Sequence, residues 1–288
     1  MTRPYLITAP PYNEKSAGQA VLHRMCHELN QLGFEAYLAI MENPNWPKGL
    51  VYTNPRFQTP IASLEKNLVK DCIVVYPEIV TGNPLGAKRV VRYLLNKEAQ
   101  FGQGAIKRAE TDYFLIYSKL YGSGHGKLLI PHFNFELFNE FGAVPFEQRT
   151  QLAWYEGKGS KYGKVTPIEG AITITRQWPD DRRELADILK KTKFLFTWDS
   201  TTSLITEAMM CGAVPVLMQI APWTVEGLKN TDFGISGFAL STDTTELYRA
   251  INTRAEAMTA IRRSMIKFRE DLWTFVESSQ NHFEKLGI

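Results

Sequence analysis

Apolar residues along this chain fall into short continuous runs, each followed by turn residues and often by a one-sided helical stripe. Tyr5-Leu6-Ile7-Thr8 reads as a buried strand ended by Pro10-Pro11. The polar turn Asn13-Glu14-Lys15-Ser16 leads into a helix predicted over residues 17–32. There Gly18, Val21, Leu22, Met25, Cys26, Leu29 and Leu32 share one face. Gly33 stops it, and residues 34–40 form the next strand. Cys72-Ile73-Val74-Val75-Tyr76-Pro77 is continuously apolar, as a strand buried on both faces must be. A second helix is predicted over residues 85–95 with Val90, Val91, Leu94 and Leu95 inward. Strands follow at 113–117 and 127–131, and an irregular crossing at 133–146.

The pattern then restarts. Strands are predicted at 152–155, 171–175, 194–196 and 214–218, with helices over 181–191 and 244–251. A long helical tail over 255–286 carries Ile261, Met265, Phe268, Leu272, Trp273 and Phe275. Strands alternating with helices imply an α/β chain built on parallel sheets. At 288 residues there is room for two cores. We place the first domain at 1–146, the second at 147–262, and the closing helix at 263–288.

Composition changes this picture little. The chain is 44% hydrophobic and 22% charged, with a net charge of +3, a mildly basic balance that fits phosphorylated or polyanionic ligands without demanding them. Cys26, Cys72 and Cys211 are isolated and odd in number, which argues against a disulfide framework or zinc ribbon and for a reducing cytoplasm. The apolar run at residues 5–9 is too short for a signal peptide, and no run approaches the ~20 apolar residues of a membrane span. The expectation is a cytoplasmic protein, peripheral to a membrane only through a partner.

The most informative stretch is Asp199 to Leu217. Ser200, Thr201 and Thr202 are N-cap candidates for a short helix, Gly212 is its stop, and Val214-Pro215-Val216-Leu217 resumes a strand. A helix opening at the carboxyl end of a parallel strand points its unpaired N–H groups at the space above the sheet, a ready anion site. Glu207 follows Asp199 with seven residues between them and opens Glu207-Ala208-Met209-Met210-Cys211-Gly212-Ala213-Val214-Pro215-Val216. This resembles the nucleotide-sugar segment of GT-B glycosyltransferases, in which two acids so spaced precede a Glu-Ala-Met-x-x-Gly-x-Pro-Val pattern. The first acid there is usually Glu, so Asp199 is a departure with a shorter reach.

The resemblance implies two Rossmann-like domains facing a cleft, with the last helix crossing back onto the first domain. It implies a nucleoside diphosphate sugar, UDP-linked, as co-substrate and no other cofactor. Glu207 would hold the ribose hydroxyls, and Asp199 would lie near the sugar or diphosphate. The glycine-rich basic run Tyr155 to Lys164 follows a strand, and glycines let backbone approach a phosphate. Its spacing is not that of a Walker A loop. By resemblance Lys158 grips the diphosphate with Lys161 and Lys164 behind it; the other reading is a solvated lysine loop. Arg176 and Trp178, after the second strand of this half, would border the nucleobase, although Trp178 also fits as a hydrophobic plug over the sheet edge.

On the acceptor side, Glu78 in Tyr76-Pro77-Glu78-Ile79-Val80-Thr81-Gly82-Asn83-Pro84 ends a strand of the first half and is the candidate general base, or else a helix cap. This segment resembles a Tyr-Pro-Glu-x-x-x-Gly-Asn-Pro run of bacterial polysaccharide glycosyltransferases. Glu14 and His132 are further acceptor-side candidates, and His125 in its glycine-rich loop a weaker one. His23 and His27 stand at a metal-ligand spacing but opposite the apolar stripe, and are expected as two exposed histidines. No Asp-x-Asp motif is present, so catalysis without a metal is expected. Lys88, Arg89 and Arg92 would form one side of the helix at 85–95, either a plain solvated face or a phosphate-gripping one. The expected acceptor is a saccharide of a surface polysaccharide; modified DNA, as in a phage-type enzyme, is the alternative. A different class is a non-catalytic nucleotide-binding or scaffold protein.

Overall fold

A computed structural model describes residues 2–41, 53–63, 66–100 and 104–288. The chain divides into two compact units, one formed by residues up to His132 together with Ser264–Ile288, the other by Phe133–Arg263. The aromatic segment 133–146, placed in the first domain from sequence, thus clusters with the second unit.

In the first unit the order is β1 (Tyr5–Ala9), α1 (Ala17–Gln31), β2 (Ala36–Ile40), α2 (Lys66–Asp71), β3 (Ile73–Pro77), β4 (Arg89–Leu94), β5 (Tyr113–Ile116) and β6 (Gly126–Lys127). These strands make one sheet in the order β2-β1-β3-β4-β5-β6 with every pair parallel. Alternate residues feed two cores. Tyr5, Ile7, Val75, Val91 and Leu115 face one, Leu6, Val74, Tyr76 and Val90 the other. Asn30 sets the turn from α1 to β2, its amide donating to the Ala36 carbonyl at 2.8 Å and accepting from the Ala36 N–H at 3.2 Å.

In the second unit the order is β7 (Gln151–Tyr155), β8 (Ile172–Ile174), α3 (Arg182–Lys191), β9 (Thr192–Thr197), α4 (Ser203–Met210), β10 (Val214–Leu217), α5 (Val225–Lys229) and α6 (Thr244–Asn252). The sheet runs β10-β9-β7-β8, again all parallel. Phe194, Phe196, Val214 and Val216 pack with Leu247, Ala250 and Ile251 of α6. The last helix, α7 (Arg254–Lys285), begins in the second unit and, from Ser264, belongs to the first. There Phe268, Leu272, Phe275, Val276 and Phe283 complete the core around Tyr5, whose hydroxyl meets the Ser279 hydroxyl at 2.8 Å. The α/β architecture with parallel sheets and a returning C-terminal helix is therefore as the sequence predicts.

Three expectations are corrected. Residues 85–95 are not a helix: β4 is a strand between β3 and β5, and all six of its residues are buried. Val90 and Val91 enter opposite cores, which neighbouring strand positions do and one helix face does not. With that helix goes its basic face. Lys88 is exposed, but Arg89 is buried and donates to the Lys70 carbonyl at 2.7 Å. Arg92 is 1% exposed, ion-paired through Nε to Asp112 at 2.9 Å, with its guanidinium 5.2 Å from the Tyr76 ring centre. It is a core residue, not an acceptor-side one.

His23, expected at the surface, is fully buried and donates from Nε2 to the Pro10 carbonyl at 2.8 Å. Burial lowers its pKa, which keeps the ring neutral. Its partners are in the loop after β1, the Pro10 carbonyl and the Tyr12 ring at 5.4 Å. Elsewhere α7 covers α1: Glu28 accepts from Arg24 at 3.2 Å and from Arg269 at 3.4 Å, and Arg24 lies over Phe268. Helix α1 is thus covered on more than the sheet side, so its buried surface is wider than one stripe. His27 is half-buried, accepts the Gln58 N–H on Nδ1 at 2.9 Å and stacks on Phe57. Finally, the strand predicted at 127–131 is only Gly126–Lys127; the Leu128 N–H still donates to the Ile116 carbonyl at 2.9 Å, and Leu128, Leu129 and Ile130 are buried.

Removing one member of a buried ion pair strands the other charge in the core. Arg92→Met should therefore destabilise the first unit by about 3–5 kcal/mol, and replacing Asp112 as well with Leu should restore much of that. Urea unfolding of the two variants checks both; an Arg92→Met protein as stable as the parent would mean that Asp112 finds water.

Candidate functional site

The strand register brings the chemistry to one edge. Tyr155 of β7 pairs with Ile174 of β8 and Thr197 of β9, and Thr197 pairs with Leu217 of β10. All four strands therefore end at one level, and the loops opening at Glu156, Thr175, Trp198 and Met218 emerge side by side. The chain leaves β7 toward β8 on one side and later returns to β9 and β10 on the other. The loops after β7 and β9 thus flank the reversal of strand order, the place where open α/β sheets bind ligands.

These two loops are locked together. Asp199 is 5% exposed; its Oδ2 accepts the Lys158 N–H at 3.2 Å, and its Oδ1 accepts the Thr201 N–H at 3.2 Å and hydroxyl at 3.3 Å. Glycine is required for this approach. Gly157 has φ 58°, and a Cβ there would lie 2.4 Å from Asp199 Cβ and 2.6 Å from Tyr155 Cε1. A Cβ on Gly159 would lie 2.2 Å from that of Trp198. Gln219, opening the loop after β10, ties the same pair by donating to the Gly159 carbonyl at 2.7 Å and the Trp198 carbonyl at 3.2 Å.

Helix α4 starts beside this lock. Thr202 is the N-cap and its hydroxyl accepts the Leu204 N–H at 3.3 Å, while the Ser200 hydroxyl donates to the Ile220 carbonyl at 3.4 Å. Gly212 closes the helix with φ 79°. Glu207 is 4% exposed and ion-paired with Arg182, the first residue of α3, whose guanidinium also lies 4.7 Å from the Phe138 ring centre. Lys158 is half-buried at the head of the turn Gly159–Lys161, and Lys161 is exposed.

After β8, Thr175 folds its loop into a tight turn. Its N–H donates to the Trp178 carbonyl at 2.8 Å and its hydroxyl accepts the Trp178 N–H at 2.9 Å, leaving Arg176 and Trp178 exposed. Tyr155, the last residue of β7, is buried. Burial first, and the Asp199 charge second, raise its pKa above the ordinary tyrosine value.

The structure thus brings Lys158, Lys161, Arg176, Trp178, Asp199, Ser200, Thr201, Thr202 and Glu207 to loops and helix starts along one edge of the second sheet. Tyr155, Arg182 and Gln219 join them without having been singled out in the sequence. Arg182 had a signal, since it follows the N-cap Asp181; Tyr155 looked like any strand aromatic. The acceptor-side candidates lie in the first unit. Glu78 follows β3, is 6% exposed, and its Oε2 accepts the Leu95 N–H at 3.0 Å. Glu14 is exposed in the loop after β1, and His132 is half-buried. His125 Nδ1 accepts the Phe114 N–H at 2.8 Å and its ring stacks on Tyr113. Among the described residues no group of three His, Cys, Asp or Glu side chains is arranged to hold a metal ion, and no helix is long and apolar enough to cross a membrane.

A methyl group on Gly157 would both strain a left-handed backbone and strike Asp199. Gly157→Ala should cost at least about 1 kcal/mol from the backbone alone and lower the melting temperature accordingly. A variant as stable as the parent would show that the loop after β7 can move off Asp199.

No protein-family model matches the chain, and no curated protein matches it in sequence. Among solved structures it is similar to an alpha-glucosyltransferase in complex with UDP and a 13-mer DNA containing a HMU base, at TM-score 0.45 and 11% identity over 95% of each chain. It is similar to sucrose-phosphate synthase from Thermosynechococcus elongatus at TM-score 0.47 and 11% identity, over 99% of this chain and 98% of that one. A spinosyn rhamnosyltransferase aligns at TM-score 0.42 and 11% identity, over 97% of this chain and 100% of its own.

Proposed function

We propose that this chain is a glycosyltransferase that moves a sugar from a UDP-linked donor to an acceptor hydroxyl, the acceptor being a saccharide of a surface polysaccharide. One observation carries the reading: the Gly157-Lys158-Gly159 loop is locked by Asp199 beside the start of α4, at the reversal of strand order, with Glu207 one turn into that helix. In the donor half of the reaction, the bond between the sugar's anomeric carbon and the diphosphate oxygen breaks, leaving negative charge on the diphosphate. Lys158, Lys161 and the N-terminus of α4, into which Ser200 to Thr202 lead, are the groups suited to receive it. Glu207, steadied by Arg182, holds the ribose hydroxyls. Asp199 lies beneath the diphosphate and shapes its seat.

In the acceptor half, the hydroxyl oxygen bonds the anomeric carbon and its proton leaves. Glu78, at the end of β3 in the first unit, is our candidate to take it. The basic helix that suggested a DNA acceptor is not formed, since Arg89 and Arg92 are buried in β4, so the saccharide stands as the proposal. We place the reaction in the cytoplasm, in keeping with three free, buried cysteines, and without a metal, since cationic side chains and a helix start are at hand for the leaving group.

UDP should raise the unfolding free energy by about 2.7 kcal/mol at a hundredfold excess over its Kd, and a UDP-sugar should be slowly hydrolysed or transferred in the presence of EDTA. Thermal shift with UDP, GDP, TDP and CMP ligands and a UDP-release assay read these out. Absence of a shift from every ligand sinks the donor site, and a shift without turnover on any sugar favours a binding protein. Acceptor screening should include hydroxymethylated duplex DNA, whose modification would replace the saccharide proposal. Glu78→Gln should leave UDP affinity unchanged and lower turnover roughly 10²–10⁴-fold; ordinary turnover would reduce Glu78 to its tie on Leu95.

A further inference from the structure

We propose that His125 is a proton-operated latch on the first sheet: protonating its ring releases the Phe114 amide and lifts the loop before β6 off β5. Strand β6 pairs with Leu115 and Ile116 of β5, so the backbone of Phe114 needs other partners on that side. His125 supplies both. Its N–H donates to the Phe114 carbonyl at 2.7 Å, and its ring Nδ1 accepts the Phe114 N–H at 2.8 Å. The loop is pressed onto the strand at both flanks. A Cβ on Gly124 would lie 2.5 Å from the Phe114 carbonyl oxygen, and one on Gly126 would lie 2.6 Å from the Tyr113 hydroxyl. The ring between them stacks on Tyr113, with centres 5.0 Å apart.

A backbone N–H can only donate, so Nδ1 holds a lone pair and the neutral ring carries its one proton on Nε2. The imidazolium has N–H groups on both nitrogens. Its Nδ1–H would face the Phe114 N–H, and the bond that holds the ring is lost. His282, in the last turn of α7, is wired the opposite way. Its Nε2 donates to the Thr111 carbonyl at 3.1 Å, a bond that survives protonation of Nδ1. Its ring centre lies 4.9 Å from that of His125, so a charge on one opposes a charge on the other. Before β5, Arg108 lies over Phe114 at 4.4 Å and pairs with Glu98, Asp112 is held by Arg92, and Glu110 is exposed. Lys127 follows in β6, and Glu284 and Lys285 are exposed beyond His282. The carboxylates around the latch are thus paired with arginines or stand in solvent. Partial burial first, and the His282 charge second, lower the His125 pKa. The latch is therefore shut above the ordinary histidine value of 6.5 and opens as pH falls through the lower folded value. Solvent reaches the ring, which is exposed.

The test follows the full chain by NMR from about pH 8 to about pH 5, across the histidine range. It reads the His125 ring signals and the exchange of the Phe114 amide relative to its intrinsic rate. Protection of Phe114 should hold until His125 titrates and then fall about tenfold per pH unit, as loss of one proton-linked bond requires. His125→Asn keeps an acceptor for the Phe114 N–H and cannot titrate, so its Phe114 should stay at least about tenfold better protected than the parent's at the acid end. Buried His23 is common to both proteins, and its own titration cancels in this comparison. His282→Gln keeps a donor for Thr111 and removes the opposing charge, so opening should move to higher pH. Phe114 protection that outlasts the titration of His125 overturns the latch whatever the variants do. So does an Asn protein that loses protection together with the parent, or an opening that vanishes in His282→Gln, which would make His282 the sensor.

Discussion

A carboxylate taken out of water costs several kcal/mol unless donors replace its hydration, and Asp199 meets that requirement through two loops at once. Its donors come from Lys158 after β7 and from Thr201 after β9. Because those strands are neighbours that end in register, satisfying one buried charge fixes the spacing of both loops and the direction in which α4 begins. The glycines follow from this, since neither Gly157 nor Gly159 leaves room for a Cβ against the loop after β9. Gln219 repeats the tie from the next strand. The edge is preorganised by hydrogen bonds that are complete before any ligand arrives.

The first unit is held by a different device. Its α7 segment fills the core beside Tyr5 and Tyr113, and each tyrosine closes its hydroxyl on a serine of that helix, Ser279 and Ser278. Tyr5, pushed up to about 12 chiefly by burial, stays a neutral hydroxyl at any ordinary pH. Glu28 adds an ionic clasp between α1 and α7. Residues from the two ends of the sequence thus complete one core, which is why the first unit cannot be delimited by one continuous segment.

The second unit's candidate site was legible as a local structure because its parts lie close in sequence. Asp199, the caps, Glu207 and Gly212 fall in one short run whose strand–turn–helix–strand order is set by local rules, and the structure has that order. Tyr155 reads as any strand aromatic, and although Arg182 follows the N-cap Asp181, its pairing with Glu207 is reached only between helices. The failure at β4 has the same origin. Val90, Val91, Leu94 and Leu95 fit a helix stripe as well as a doubly buried strand, and what decides is Asp112, which neutralises Arg92 from 20 residues away. Without that partner an arginine in the middle of a central strand argues against a strand, so the pattern favoured a helix. His23 was misplaced for a parallel reason: its partners, the Pro10 carbonyl and the Tyr12 ring, lie in the loop after β1 and outside the helix pattern.

The two units use charge in opposite ways. In the first, Arg92 and Asp112 neutralise each other inside the core, and Arg89 caps a carbonyl, so neither cation is directed at solvent. In the second, the buried acid Asp199 is held by neutral donors while Lys161, Lys164 and Arg176 remain exposed. A charge kept in place by dipoles leaves its field uncancelled. The first unit thus hides its charges from ligands, and the second keeps one uncancelled at the edge where its loops open.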